Sequence, residues 1–509
     1  MYDIIIVGAG SSGAAVAARA SEDPHRHVLL LEAGPDYADP ARTPADLVNG
    51  HSHAHRHHDW GLYYAPTRGR RMPFPRGRVV GGSSAVNTGV ALRGVHEDYD
   101  EWSDLGNPAW GWERVLPAFM RLERDLDFGD APYHGDAGPI TIRRHPPEEL
   151  LIQHQAFLES ARDLGYPECL DVNDPWSWGA GPCPMSKLGR LRVSTATGYL
   201  APARIRPNLE IRPRTLVRRL ITSNGRCTGV EVETPDGGTD RVSGRLVVLA
   251  AGAVMSPAIL LRSGYGPRAQ LEALGIDVHR DVPGVGANLS DHPTLAIACE
   301  AREPGIIDFD APLVQTVLRY TSADSDKRND SQIELLSFAG RPSEPPRFAI
   351  AAMVTYQHGR GELRLASPDP HVPPTLENAF CDDTHDCGRL SACFRDAFAF
   401  TRVGPLADLV ERVAFPEATR PMGDEQTAAL CRRYAGSGFH PCGTARMGPA
   451  ADPGAVVDQY GCCHAVENLV LADASIMPRA PRANDNLSCI MIGEMIGEWL
   501  RTRPARYGL

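Results

Sequence analysis

Ile4-Ile5-Ile6-Val7-Gly8-Ala9-Gly10-Ser11-Ser12-Gly13 opens the chain, and the small-residue stretch Ala14 to Ala20 follows it at once. An apolar strand leads into Gly-x-Gly-x-x-Gly, and a helix leaves it. In that pattern Gly8 makes the tight turn, Gly10 lets backbone N–H groups approach a pyrophosphate, and Gly13 allows close helix–strand packing. The helix N-terminus then presents its positive dipole end to the phosphates. A second apolar run, Val28-Leu29-Leu30-Leu31, ends at Glu32. That places an acid within the roughly 20-residue window in which a carboxylate grips a ribose hydroxyl. Strand, glycine turn, helix and acid in this order predict a dinucleotide-binding unit.

Composition narrows the class. A length of 509 residues suits about three domains, or two large lobes. A formal charge of −11 and a pI near 5.9 argue against nucleic acid or an anionic membrane surface as partner. No run approaches the ~18 apolar residues of a membrane helix. The first strand begins at Tyr2, leaving no room for a leader, which predicts a cytoplasmic protein. The 12 cysteines are dispersed, with one adjacent pair, Cys462-Cys463, and no Cys-x-x-Cys. They read as thiols rather than a disulfide framework or a zinc site.

Pro, Gly, His and Arg crowd residues 35–76, which read as a lid-like excursion from the nucleotide unit. From Tyr99 to Asp127 the apolar spacing is helical. Residues 195–221 and 227–251 suggest short strands, with Thr234-Pro235-Asp236-Gly237-Gly238 a hairpin turn. Arg245 to Ala253 reads as a buried strand entering a glycine turn. Apolar stretches at 332–338, 348–356 and 362–365 suit antiparallel strands, and helices are expected from Cys387 to about Val413, after Asp424, and from Ile490 to Leu500. Leu469 to Asp473 is another buried strand. The expectation is an α/β protein. A Rossmann-like nucleotide domain (1–150, 200–295 and 455–509) would be interleaved with an α+β substrate domain on an antiparallel sheet (151–199 and 296–454).

Three further motifs carry a resemblance. Gly77-Arg78-Val79-Val80-Gly81-Gly82-Ser83-Ser84-Ala85-Val86-Asn87 is one, and Gly252-Ala253-Val254-Met255-Ser256-Pro257 through Gly264-Tyr265-Gly266 is the second. Phe439-His440-Pro441-Cys442-Gly443-Thr444-Ala445-Arg446-Met447-Gly448 is the third, with Asp473-Ala474-Ser475 and Asn484-Asp485-Asn486 beyond it. Tyr133-His134-Gly135 and Val285-Gly286-Ala287-Asn288-Leu289-Ser290-Asp291-His292 agree. End to end the chain resembles the glucose–methanol–choline (GMC) family of flavin oxidoreductases, especially its compact bacterial members.

That resemblance implies FAD. Gly8, Gly10, Ser11, Ser12, Gly13 and Glu32, with Ala33, would hold its ADP half. The turn at Gly82 and Ser83, with Asn87, would lie along the pyrophosphate and isoalloxazine. Trp60, Arg78, Val80 and Thr88 join the same set. Val217 would meet adenine, Asp473 and Ala474 the ribityl–phosphate region, and Ala251 and Asn486 complete the cofactor residues. Consecutive Gly and Ser suit a backbone that must approach a flat ring and present its N–H groups. Val86 stands where some members carry a flavin-linking histidine, so the flavin is expected to be non-covalent. Tyr265 and Ala445 depart from the family's usual residues.

Oxidising an alcohol needs a base for the hydroxyl proton and an acceptor for hydride, which the flavin provides. Histidine suits the base, its ordinary pKa lying near 6.5. Of 18 histidines, His440 occupies the family's catalytic position. Asn484 matches the partner that hydrogen-bonds the substrate oxygen, although an asparagine there also suits the cap of a helix starting near Leu487. The expected activity is oxidation of a small alcohol, with electrons passed to O2 or another acceptor. The alternative is a non-redox relative, a hydroxynitrile lyase keeping FAD as scaffold. His51, His53, His55, His57 and His58 alternate on a Gly/Arg-bearing loop without fixed geometry or thiolate. They read as a solvated lid, anchored by Trp60 and Tyr63-Tyr64, and no metal is expected. Cys442 reads as a small buried thiol.

Overall fold

The computed structural model describes residues 1–509 except 68, 324 and 418–421. The opening stretch forms the strand Tyr2–Val7, buried over its last four residues, and the helix Ser11–Ala20 follows after the turn. Val28–Leu31 pairs parallel with Tyr2–Val7, Ile4 opposite Val28. Four consecutive buried residues in each strand are what a parallel sheet covered on both faces requires. Leu209–Arg212 extends the sheet on one side, Thr239–Leu249 on the other, and Leu469–Leu471 lies parallel beyond it. Leu216–Ser223 and Arg226–Glu233 add an antiparallel meander, for seven strands in all.

The second seven-stranded sheet is antiparallel. Its order runs Val410–Phe415, Pro293–Ala301, Arg347–Val354, Ser331–Ala339, Thr316–Tyr320 and Gly179–Pro182, with Gly436–Ser437 pairing onto Pro293–Ala301. The strand Pro293–Ala301 crosses the boundary expected at 295/296. The two ends of the chain are locked by the last helix, Asn486–Thr502, lying on Ser11–Ala20. A Cβ at Gly493 would stand 2.4 Å from Ser12 O, and one at Gly497 3.1 Å from Val16 Cα, so only glycine permits the crossing.

Four sequence expectations need correction. The helical pattern over 99–127 breaks into His96–Asp104 and Trp112–Leu122, then turns into the strand Glu123–Asp125. Gly106, at φ +93°, and Pro108 end the first helix. Residues 196–203 are helical rather than extended, with Pro202 in a permissive first turn and the Tyr199 hydroxyl bonded to buried Glu494. Val410–Phe415 is an edge strand, its register with Pro293–Ala301 overriding the helical spacing before it. The last helix begins at Asn486, near Leu487 and four residues before Ile490, and Asp485, not Asn484, is its N-cap residue.

Candidate active site

A cavity of about 720 Å³ is lined by the carboxyl ends of the parallel strands and by one face of the antiparallel sheet. Strand ends are where α/β sheets bind their ligands, because helix N-termini and glycine turns gather there. At one end of the cavity the Glu32 carboxylate accepts from Ala9 N (3.0 Å) and Gly34 N (2.8 Å). Burial raises its pKa to about 7 against those backbone donors. The helix Ser11–Ala20 has no capping side chain and no acid in its first turn, so its leading N–H groups remain for a ligand. The two glycine turns meet at Gly82, whose φ is +52° and whose Cβ would lie 2.5 Å from Gly10 Cα. Asp473 is fixed by Gly252 N (2.9 Å), Ser475 N (2.8 Å) and the Ser256 hydroxyl.

Of the residues expected to hold the cofactor, Gly8, Gly10, Ser11, Ser12, Glu32, Ala33, Trp60, Gly82, Ser83, Asn87, Thr88, Val217, Ala251, Asp473, Ala474 and Asn486 all line this cavity. Three do not. Gly13 sits behind it, where a Cβ would lie 1.9 Å from Gly8 O, so its task is helix–strand packing. Arg78 turns its guanidinium over the Trp60 ring (4.9 Å) and borders a separate hollow of about 390 Å³. Val80 is buried beneath the wall, its N–H donating to Pro35 O.

His440 and Asn484 line the same cavity. Residues 290–292 run antiparallel to the turn that carries His440: Ser290 and Cys442 exchange backbone hydrogen bonds, and Gly438 N donates to His292 O (2.7 Å). That pairing sets His292 Nδ1 2.9 Å from His440 Nδ1. Asp291 holds the turn, accepting from His440 N (2.9 Å) and from the Ser437 hydroxyl. Burial, with His292 and the Arg76 cation adding to it, holds the His440 pKa well below the ordinary histidine value. Asn484 Oδ1 accepts from Gln332 Nε2 (3.2 Å), so its side chain answers to the site and not to the helix behind it.

His292, Arg76 and Glu334 are site residues to which sequence reasoning gave no role. The Ser290-Asp291-His292 motif was the available signal for the first. For Glu334 it was a charged residue between Ile333 and Leu335 in a stretch read as a strand. Of the histidine-rich loop, His53 and His55 line the cavity, with ring centroids 5.4 Å apart. Tyr64 anchors the loop, buried and accepting from Ser437 N, while Tyr63 is exposed. Cys442 is fully buried, its thiol pushed far up. His134 bridges Glu123 (2.6 Å) and Asp171 (2.9 Å) as core structure.

Residues 2–294 match a family model described as GMC oxidoreductase, and residues 357–493 match a second of the same description. The chain belongs to the GMC oxidoreductase family. It is 36% identical to a 5-(hydroxymethyl)furfural oxidase of Methylovorus sp., over 99% of each chain. It is 33% identical to an oxygen-dependent choline dehydrogenase of Sinorhizobium medicae, covering 97% of this chain and 94% of the other. The crystal structure of pyridoxine 4-oxidase from Mesorbium loti superposes with a TM-score of 0.91 at 30% identity, over 98% and 99% of the two chains. This GMC oxidoreductase is an FAD-dependent enzyme oxidising the CH–OH group of alcohols. The uncapped helix N-terminus, the glycine-on-glycine contact and the acid after the second strand fit that cofactor. The relatives lend no support to a lyase.

Proposed function

We propose that His440 is the base that accepts the hydroxyl proton of a small alcohol and that Asn484 donates through Nδ2 to the same oxygen. The observation carrying this is the joining of both side chains to the glycine-lined cavity. His440 Nδ1 is engaged by His292, which leaves Nε2 for the substrate; Gln332 occupies Asn484 Oδ1 and Glu334 takes one of the Asn484 amide hydrogens, which leaves the second N–H for the substrate oxygen. Bound FAD supplies the hydride acceptor. The cofactor would be held non-covalently by the cavity-lining residues above, Val86 offering no linking atom. O2 as final acceptor is supported by two relatives named as oxidases.

The two sheets support the division into an FAD-binding and a substrate-binding domain, with the second segment of the latter beginning at Pro293 rather than at 296. No helix among the described residues is long and apolar enough to cross a membrane. Twelve free cysteines suit a reducing compartment, which supports a cytoplasmic location.

The test is an anaerobic screen of alcohols for bleaching of the bound flavin, followed by air and a peroxide assay. Bleaching by an alcohol with peroxide on reoxidation is the expected result. A flavoprotein that no alcohol bleaches would contradict the reading.

A further inference from the structure

The antiparallel sheet closes the cavity with Thr294, Glu334, Leu336, Ala351 and Met353. The two-residue alternation of a strand puts Glu334 and Leu336 on one face, with Ile333 and Leu335 behind it. Glu334 lies opposite Ala351 in register, so its carboxylate stands among apolar neighbours. It is only 7% exposed.

Its partners differ from those of the other carboxylates on the wall. Glu32 and Asp473 are held by backbone N–H groups, and Asp485 faces the Arg76 guanidinium. Glu334 has amides alone. Its Oε1 accepts from Gln332 Nε2 at 2.7 Å, and the neighbouring Asn484 amide is the other contact. No cation among the described residues pairs with it, and burial lifts its pKa. The same Gln332 nitrogen donates to Asn484 Oδ1, which fixes the orientation of the Gln332 amide. Gln332 Oε1 is then left buried with no hydrogen-bond partner among the described residues. A desolvated carboxylate without counter-charge and an adjacent acceptor without a donor are both costly. Of the two only Glu334 lines the cavity, and a cation that carries N–H donors would satisfy it there.

We infer that Glu334, oriented by Gln332, forms a subsite for a protonated amine, so that the enzyme's substrates are short amino alcohols. This rests on the alcohol-oxidising reading above and extends it to the substrate class. Gln332 links the subsite directly to Asn484, so amine and carbinol are separated by only a few bonds. A quaternary ammonium offers charge but no N–H to the Glu334 carboxylate, and a hydroxy acid brings a like charge to it.

The test compares flavin reduction in the holoenzyme by 3-aminopropan-1-ol and by butan-1-ol, its methyl isostere, at a pH where the amine is protonated. The inference expects kcat/KM to favour the amino alcohol by about 10²-fold, the scale of a desolvated charge pair. Glu334→Gln should bring that ratio to within about 3-fold, and because a ratio is read, a general loss of activity cancels. Binding is measured separately with propylammonium, which has no hydroxyl to oxidise. It should perturb the flavin spectrum of the wild type more tightly than tetramethylammonium, where propanoate should not. Equal use of amino alcohol and alkanol, or a preference that survives Glu334→Gln, would overturn the subsite. If propylammonium binds through Glu334 but no alcohol bleaches the flavin, the subsite stands and the alcohol-oxidising reading fails. Should the variant not fold, the wild-type ranking of propylammonium over propanoate still decides the subsite.

Discussion

His292 and His440 face each other Nδ1 to Nδ1 at 2.9 Å, and both imidazoles are buried. A contact between two ring nitrogens holds a single proton. For His440 to act as a base through Nε2, that proton must sit on its Nδ1 and be accepted by His292. On the proposed role of His440, the second histidine would select the working tautomer and receive part of the positive charge once Nε2 is protonated. The arrangement is built by the backbone, since residues 290–292 pair with the turn that carries His440.

Replacing His292 should separate this positioning role from packing. His292→Leu removes the acceptor, and flavin reduction should slow at least ~10-fold with FAD still bound, the lesser cost of a misdirected imidazole. His292→Gln keeps an acceptor oxygen and should recover part of the rate. Stopped-flow reduction of both variants checks this. Equal rates in the two, or a loss confined to KM, would contradict the tautomer argument.

The pH profile follows from the same contacts. A base works when unprotonated, and burial, His292 and Arg76 hold the His440 pKa well below 6.5. Reduction should therefore stay level from pH 8 to about 6.5 and fall only in more acidic solution. An acid limb centred at or above the ordinary histidine value would be inconsistent with this environment. Arg76→Gln removes one of the depressing charges and should move the limb toward neutrality.

Gly82→Ala tests the contact between the two glycine turns. The added Cβ would meet only backbone atoms of Gly10, and φ +52° disfavours alanine, so neither turn can give way cheaply. The variant should purify with FAD affinity lowered at least ~10-fold, since one displaced loop withdraws several N–H donors at once. The flavin-to-protein absorbance ratio reads this directly, and an unchanged ratio would count against the turn as part of the cofactor cradle.

His154 offers a stability prediction away from the site. It is fully buried, bonded to the hydroxyls of Thr316 (2.8 Å) and Ser337 (2.9 Å), and desolvation first of all lowers its pKa to about 3. The unfolded chain takes up a proton near 6.5 and the folded one does not, so stability is lost as pH falls below that value. Relative to His154→Gln, the wild type should lose about 2–3 kcal/mol between pH 6.5 and 4.5. Denaturation of both proteins across that range measures it, and parallel curves would show that the imidazole stays accessible to protons.

What could be read from the sequence was local. The glycine turn, the helix after it and Glu32 announce themselves by spacing, because a phosphate cradle needs those residues in that order. His440 and Asn484 were legible only through the family motif, as nothing in their own neighbourhoods distinguishes them from packing residues. His292 lay in a quoted motif without a role, because its partner is 148 residues away and only strand pairing brings them together. Arg78 and Val80 share a motif with Gly82 and Ser83, yet the turn at Gly81 and Gly82 throws them behind the wall. The helix expected to run to about Val413 gives way from Val410 to a sheet edge, where tertiary pairing outweighs local preference.

The most direct measurement is anaerobic mixing of an oxidisable alcohol with FAD-loaded wild type and His440→Ala, following loss of the oxidised flavin absorbance. The variant should keep its FAD and lose at least ~10²-fold in the reduction rate, the lower range for a positioned base. A variant that keeps its flavin and is bleached as fast as the wild type would contradict the assignment of His440.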